Sequence, residues 1–392
     1  MDSDLLMLKS TIMTDIDSSH QQLAKISLKI HSNPENGFKE YKASNWLVQY
    51  LENSCFKVEL GFCQLETAFK AVYGNKRPAI AIIAEYDALP QLGHACGHNL
   101  IAAIAVGAAV ASRATIDKLG GSILVIGTPA EEIHGGKVIM VQRGAFNNID
   151  MAIMVHPSTN DTATTKTLAC ASLDIELFGH AAHAAAHPEE GINSLEAMIL
   201  SFNAVNSLRQ HLRDDARIHG IITNGGQVVN VVPAYSAASF LVRAKDETYL
   251  EELKGKVLNC FKGAAHATGA ELKYKWGNVQ YAPMRNNMKM ANLFITNMNS
   301  LGRSVKLINP DQSFGSTDMG NVSQVVPSIH PSIAIAPRGV SIHSHQFVKA
   351  AASDAGIQGM IDAAKAVAMM IVDLLSSPET TSQVKKEFAS KS

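Results

Sequence analysis

Four short apolar runs rich in β-branched residues constrain this chain more than anything else in it: Ala79–Ala84, Ile123–Ile126, Met151–Val155 and Ile333–Ile335. Each is too short to stand as a helix, and each is followed at once by a loop rich in glycine, proline, histidine or acid. Runs that are apolar throughout, rather than alternating, belong to strands buried on both faces, and such strands need helices packed over them. The pattern is that of an α/β sheet, in which reactive side chains gather where the carboxyl ends of strands open into loops. Ahead of these runs, helical spacing covers Leu5 to His31 and Lys39 to Asn53, interrupted at Pro34-Glu35-Asn36-Gly37.

The middle third has a different rhythm. Ser172 to Leu177 alternates with period two, and Leu195, Met198, Ile199, Phe202, Val205, Leu208 and Leu212 trace one helical face. Strand-like runs at Arg217–Thr223 and Ser236–Arg243 follow, then a second helical face from Leu250 to Ala264 and a last strand at Glu271–Trp276. The order β-α-β-β-α-β is the ferredoxin-like split unit. We expect a small domain over residues 171–284, inserted into a larger α/β domain made from residues 1–170 and 285–392.

Composition excludes several classes of function. With 34 basic and 35 acidic residues the net charge is -1, so no field favours nucleic acid or an anionic membrane. The longest apolar run, from Ile101, falls short of a membrane span, and the opening residues lack a basic, then apolar, signal-peptide pattern. Five scattered cysteines without a CxxC pair argue against a disulfide framework or a zinc ribbon, and a cytoplasmic location is the expectation. Cys55, Cys63, Cys170 and Cys260 read as thiols in or near the core.

The strand-end loops carry the chemistry. Glu85-Tyr86-Asp87-Ala88-Leu89-Pro90 leads into His94-Ala95-Cys96-Gly97-His98-Asn99, placing carboxylates, imidazoles and a thiol just past a buried strand. Cys96 and His98, two residues apart, form a borderline-soft pair suited to Zn²⁺, while a thiol nucleophile activated by histidine is the rival reading of Cys96. Glu131-Glu132 follows the next strand, where one carboxylate suits a metal and its neighbour suits proton transfer. His156 ends a third strand, and His343 and His345 lie beyond a fourth. Cys, His, Glu, His and His from four such loops are what a two-metal hydrolytic site requires.

In order along the chain, Ile30-His31…Pro34-Glu35…Gly37-Phe38…Glu40, AEYDALP, HACGH, GTPAEE, MVHP, GHAAHAA and NVVP resemble the aminoacylase and carboxypeptidase G family of co-catalytic metallopeptidases. The Cys-containing HACGH form resembles its amidohydrolase branch, which holds hippurate, indole-acetyl-amino-acid and aminobenzoyl-glutamate hydrolases and Xaa-Arg dipeptidase-like proteins. The resemblance runs from about Ile30 to Phe347. It implies a metal-binding α/β domain with a mixed sheet, an inserted lid and dimerisation domain, and a homodimer or homotetramer formed through that lid. It implies two divalent ions per chain, Zn²⁺ or Mn²⁺, on Cys96, His98, Glu132, His156 and His343, with Cys96 bridging and Glu131 as general base. His183 is implied as the oxyanion-stabilising lid histidine, Asn230 and Arg243 as contacts to the substrate carboxylate, and Asp87 as support behind the ligands. The implied substrate is a small N-acyl amino acid or dipeptide with a free carboxylate.

The chain departs from that pattern in places. Asn99 stands where the commoner form has Asp after the metal-binding His, which would remove a supporting acid and leaves open a metal-binding or assembly module without turnover. Gly315 to Gly320 stands where many relatives carry Ser-Glu-Asp-Phe. His343 is preferred over His345 because His-Ser-x-x-Phe aligns with the family's His-Ser-Pro-x-Phe.

Overall fold

The computed structural model describes residues 3–308 and 315–390. In chain order the strands are β1 (Lys57–Leu60), β2 (Phe69–Gly74), β3 (Ala79–Glu85), β4 (Ser122–Thr128), β5 (Met151–Ile153), β6 (His156–Ser158), β7 (Ala169–Phe178), β8 (Arg217–Asn224), β9 (Tyr235–Ala244), β10 (Glu271–Tyr281), β11 (Ser328–Ile329) and β12 (Ser332–Ala334). They divide between two compact units, one ending at Lys166 and resuming at Met284, the other running from Thr167 to Pro283 and taking in Gly315 and Ser316.

The first unit is built on a six-stranded sheet of order β1-β2-β4-β3-β5-β11. β4, β3, β5 and β11 are parallel, while β2 and β1 run antiparallel at one edge, so the sheet is mixed. Every residue of β3 and β4 is buried, as uninterrupted apolar runs require. The Ala-rich helix His98–Ala111 is buried on nearly all sides, between β3 and the long helix Asp354–Ser376. Together with the short helix after it, His98–Leu119 is long and apolar enough to cross a membrane, longer than the sequence pattern suggests, and 83% of its most apolar window is buried inside the protein. Short side chains allow that packing from every direction.

Three local details differ from the expectations. The first helical stretch is two helices, Ser3–Ser18 and His20–His31, parted at the weak helix formers Ser18-Ser19. The run at Ile333–Ile335 belongs to β12, which pairs with β6 in a separate two-stranded sheet; the outer strand of the large sheet is the two-residue β11, too short to show a period. Cys55 is exposed, in a left-handed turn after the helix Tyr41–Asn53, and only Cys96 and Cys170 are fully buried.

The break at Pro34–Gly37 does structural work. Glu35 accepts hydrogen bonds from the backbone N–H groups of Lys42 and Ala43, closing the start of the helix Tyr41–Asn53. Gly37 lies so near Ala130 that a Cβ there would stand 2.7 Å from the alanine's own Cβ. Between them, buried Glu40 accepts from Phe38 N–H at 3.0 Å, Ala130 N–H at 2.9 Å and the Thr67 hydroxyl at 2.7 Å. Ala130 takes a left-handed conformation, φ 62°, so this carboxylate holds the strained turn from which Glu131 and Glu132 emerge.

The second unit is a four-stranded antiparallel sheet of order β10-β7-β9-β8. Helices Ser194–Arg209, capped by the Asn193 side chain, and Glu247–Thr268, capped by Asp246, cover one face. Its core is Leu173, Ile175, Leu177, Phe240, Val257 and Phe261 with their neighbours. The strand Tyr235–Ala244 is interior, hydrogen-bonded on both sides, and the edges of the sheet are β8 and β10. Alternating burial along β9 mimics an edge strand but reflects one covered and one open face.

Burial pushes the Glu40 carboxyl up to about 7, against the hydrogen bonds from Thr67 and the backbone that lower it. Because the folded value exceeds the unfolded one, the contribution of this group to stability is complete below pH 4.5 and is lost as pH rises through about 7. Relative to Glu40→Gln, which cannot ionise, the wild-type protein should lose about 2–3 kcal/mol between those limits in urea unfolding followed across pH.

Candidate metal centre

β3 delivers Glu85 and, two residues on, Asp87; the loop then turns through Gly97, φ 77°, to set His98 as the first residue of its helix. The His98 Nδ1 faces both the Asp87 backbone oxygen and Oδ1 at 3.0 Å, and the other carboxylate oxygen accepts from Glu132 N–H at 3.0 Å. Asp87 therefore fixes the ring with Nε2 presented inward and ties the loop after β3 to the loop after β4. His156 opens β6, its Nδ1 on the Pro157 oxygen at 2.6 Å. His343, left-handed at φ 65°, is anchored by its N–H to the Ala95 oxygen at 3.1 Å, with Nε2 3.6 Å from Glu132 Oε2.

Donor atoms of Cys96, His98 and His156 lie within 4.8 Å of one another, as do those of Cys96, Glu132 and His343, and those of His98, Glu131 and Glu132. Cys96 belongs to both of the first two sets. His345 belongs to none; it starts the helix His345–Ala350. Gly136 is also required here, since a Cβ on it would stand 1.8 Å from the Pro129 oxygen, beneath the Glu131–His134 turn.

Electrostatics match a cation-binding role. Burial together with the neighbouring His330 and His98 rings pulls His156 down to about 3, which leaves a neutral ring with a lone pair to give. Burial also raises Cys96 well above the ordinary thiol range in spite of His98 beside it, so without a cation it is a thiol rather than a thiolate. Burial acts against charge on His98, but the Asp87 and Glu85 carboxylates outweigh it and hold that ring well above its usual value. Glu131 is held well above the carboxylate range by burial and by Glu85, Asp318 and Glu132.

A divalent cation fits these residues. In the neutral ring the hydrogen on Nδ1 points at Asp87, so Nε2 offers its lone pair towards Glu85 Oε2, 3.4 Å away. Both atoms are buried without a hydrogen-bond partner. Two facing lone pairs call for a positive centre, which is a proton on His98 when no ion is bound and a cation when one is, and the donor set of thiol, imidazole and carboxylate is one that zinc accepts.

Sequence reasoning misses a second ring of charge. Lys137 is fully buried and donates to Glu85 Oε1 and, at 2.8 Å, to Asp318 Oδ1, while its backbone N–H reaches Asp318 Oδ2 at 2.9 Å. The available signal was one lysine just before the apolar run Val138–Val141 of the helix Gly136–Gln142. His330, just after β11, is also buried, with its ring 5.6 Å from that of His156. Asn99 supplies no acid to His98, but that ring already has Asp87; Asn99 instead donates to Ser27 Oγ and the Ala351 oxygen, joining two helical segments.

On the second unit His183 is exposed, and its Nδ1 accepts from the N–H groups of Ala185 and Ala186 at 3.3 and 3.1 Å. Asn230 is beside it, its backbone oxygen accepting from Ala184 N–H at 3.0 Å, with His183 bridged to Val231. Arg243 is not with them. It sits near the far end of β9, roughly 25 Å along the strand at about 3.3 Å per residue, where it donates to Ser316 Oγ at 3.1 Å. One copy of this unit therefore does not bring Asn230 and Arg243 to the same carboxylate.

Comparison with known proteins places these features in context. A family model described as Peptidase family M20/M25/M40 matches residues 81–368. The chain is 36% identical to the Xaa-Arg dipeptidase of Mus musculus over 99% of its own length and 94% of that protein. Among solved structures, a putative aminohydrolase from methicillin-resistant Staphylococcus aureus superposes with a TM-score of 0.80 at 18% identity, covering 94% of this chain and 100% of that one. A dinuclear metal binding peptidase of the M20 family from Bacillus subtilis gives 0.72 at 20% identity over 92% and 99%.

Removing the buried ammonium should be costly, because Glu85 and Asp318 are then left uncompensated. Lys137→Met should lose about 3–5 kcal/mol in urea unfolding of chelator-treated protein, and adding Asp318→Asn should restore part of it. Unchanged stability in Lys137→Met would show that the three groups do not share charge.

Proposed function

The chain belongs to peptidase family M20/M25/M40, and on that premise we propose that it hydrolyses the amide bond of small substrates ending in a free carboxylate, dipeptides foremost, with two divalent cations held at the Cys96 centre. The observation that carries this reading is the position of Cys96 in two donor sets at once, with His98 and His156 on one side and Glu132 and His343 on the other. A thiolate shared between imidazoles and a carboxylate favours Zn²⁺ over Mn²⁺. Bound there, the ions would supply Lewis acidity, lowering the pKa of a water and polarising the amide carbonyl.

The residues divide the remaining work. Glu131, with its raised proton affinity, takes the proton of the attacking water and delivers it to the leaving nitrogen. His183 has Nδ1 occupied by backbone N–H donors, so its neutral ring carries the hydrogen on Nε2, a donor suited to the developing oxyanion. Asn230, next to His183 through its backbone oxygen, is suited to a polar contact with the substrate carboxylate, and the guanidinium of Arg243 has a buried Nε without a hydrogen-bond partner, a group suited to the same role. Their separation on one sheet supports sites completed by a second copy. The open edge of β8, with Ile221 and Ile222 exposed, and the exposed Val228 and Val229 after it support a homodimer through this unit. Five free cysteines suit a reducing compartment, the cytoplasm in this reading.

The buried thiol, held above its ordinary range, is a poor nucleophile and argues against thiol hydrolysis. The 36% identical dipeptidase makes dipeptides ending in arginine the first substrates to try, followed by aminobenzoyl-glutamate and N-acyl amino acids. Protein purified without chelator should hold about two ions per chain by mass spectrometry and lose hydrolysis on chelation, with recovery on adding Zn²⁺. Glu131→Gln should keep its ions and lose at least about a thousandfold in kcat. Metal-free protein that hydrolyses the panel, or a Glu131→Gln variant with substantial turnover, would sink the proposal.

A further inference from the structure

We propose that Glu85 is a sixth protein ligand, completing the coordination of the ion held by Cys96, His98 and His156, and that Lys137 and Asp318 are the positioning residues that present it. This rests on the two-cation reading above. Neither the ligand set implied by the sequence nor any of the three donor sets includes Glu85, whose Oε2 stands beside His98 Nε2.

The geometry supports the assignment from both oxygens of the carboxylate. Oε1 is taken by the Lys137 ammonium, which is itself locked by Asp318 through two contacts, one to its ammonium and one to its backbone. Oε2 is left as the single free oxygen, buried, without a hydrogen-bond partner, and 3.4 Å from His98 Nε2. Zinc binds nitrogen at about 2.0–2.1 Å and carboxylate oxygen at about 2.0–2.2 Å, so two ligands on one tetrahedral ion stand roughly 3.4 Å apart. By comparison, Glu132 Oε1 is 3.9 Å from the same nitrogen, a wider opening, and its second oxygen faces His343.

Charge points the same way. Two carboxylates share one ammonium in Glu85, Lys137 and Asp318, and all three side chains are fully buried. A buried cluster with an excess negative charge is expensive unless a further cation faces it. That excess is aimed at His98, and the His156 and His330 rings also feel the Glu85 charge. A lysine tied to one oxygen leaves a carboxylate able to bind an ion through the other only, which fits a crowded site with a shared thiolate.

The test measures binding rather than turnover. Wild type and Glu85→Gln are stripped, reloaded with Zn²⁺, and compared for ions per folded chain and for affinity against a competing chelator. With Co²⁺ in place of Zn²⁺, the visible d–d bands report on the ligand set directly. The variant should keep one ion at wild-type affinity, bind the other at least about 100-fold more weakly, and show altered bands. Glu85→Asp retains the charge but withdraws the oxygen by one carbon, so it should fold on the Lys137 pair and still lose the second ion; it stands in if the glutamine variant does not fold. Two ions bound at wild-type affinity in either variant, with unchanged Co²⁺ bands, would overturn the assignment of Glu85 and leave the two-cation reading intact. A wild-type chain that binds no ion would overturn both.

Discussion

The candidate centre depends on one buried carboxylate. Asp87 holds the His98 ring with one oxygen and the backbone of Glu132 with the other, so one side chain sets both the direction of an imidazole lone pair and the distance between two strand-end loops. A chain with fixed loops but a free ring would have donors without a common focus. Around Asp87 the described residues set Glu85, Glu131, Glu132 and Asp318 against the Lys137 ammonium and the His98 ring, whose proton affinity is raised. A cation bound there would relieve the crowding of acid and would couple metal binding to folding.

The parts of this site legible in the sequence were those where chemistry is concentrated in a few adjacent residues. Cys96-Gly97-His98 and Glu131-Glu132 announce themselves because each follows an apolar strand whose end the fold fixes. Lys137, Asp318 and His330 gave no comparable signal. Each is a lone polar residue in apolar or small-residue surroundings, and its meaning appears only when helix Gly136–Gln142 and the segment before Met319–Val325 are brought together. Asn99 is a different case. It stands where the commoner form has an acid and donates instead to Ser27 and Ala351, while the His98 ring is held by Asp87, eleven residues before that histidine.

The fold was legible to a similar depth. Period-two alternation and helical faces mark the second unit element by element, because half-exposed strands and amphipathic helices write their environment into the sequence. What periodicity does not say is which strand lies at the edge. β9 alternates perfectly and is interior, while β8 and β10 expose residues on both faces and are the edges, since a strand's neighbours depend on pairing partners far away in sequence. Likewise β11, two residues long, has no period to read, yet it closes the large sheet against β5.

In the second unit β7 and β10 are neighbours, with Cys170 opposite Tyr281, so the chain leaves that sheet beside the point where it entered. An unstructured insertion of that length between β5 and β11 would add to the entropy of bringing those two strands together. Once the insertion has folded, its two ends are already clasped, and the connection between the strands it separates in sequence is in effect shorter by the 117 residues of Thr167–Pro283. The order of events during synthesis then follows from topology: the large sheet waits for its last parallel strand, and the inserted sheet, complete before that strand emerges, shortens the search for it.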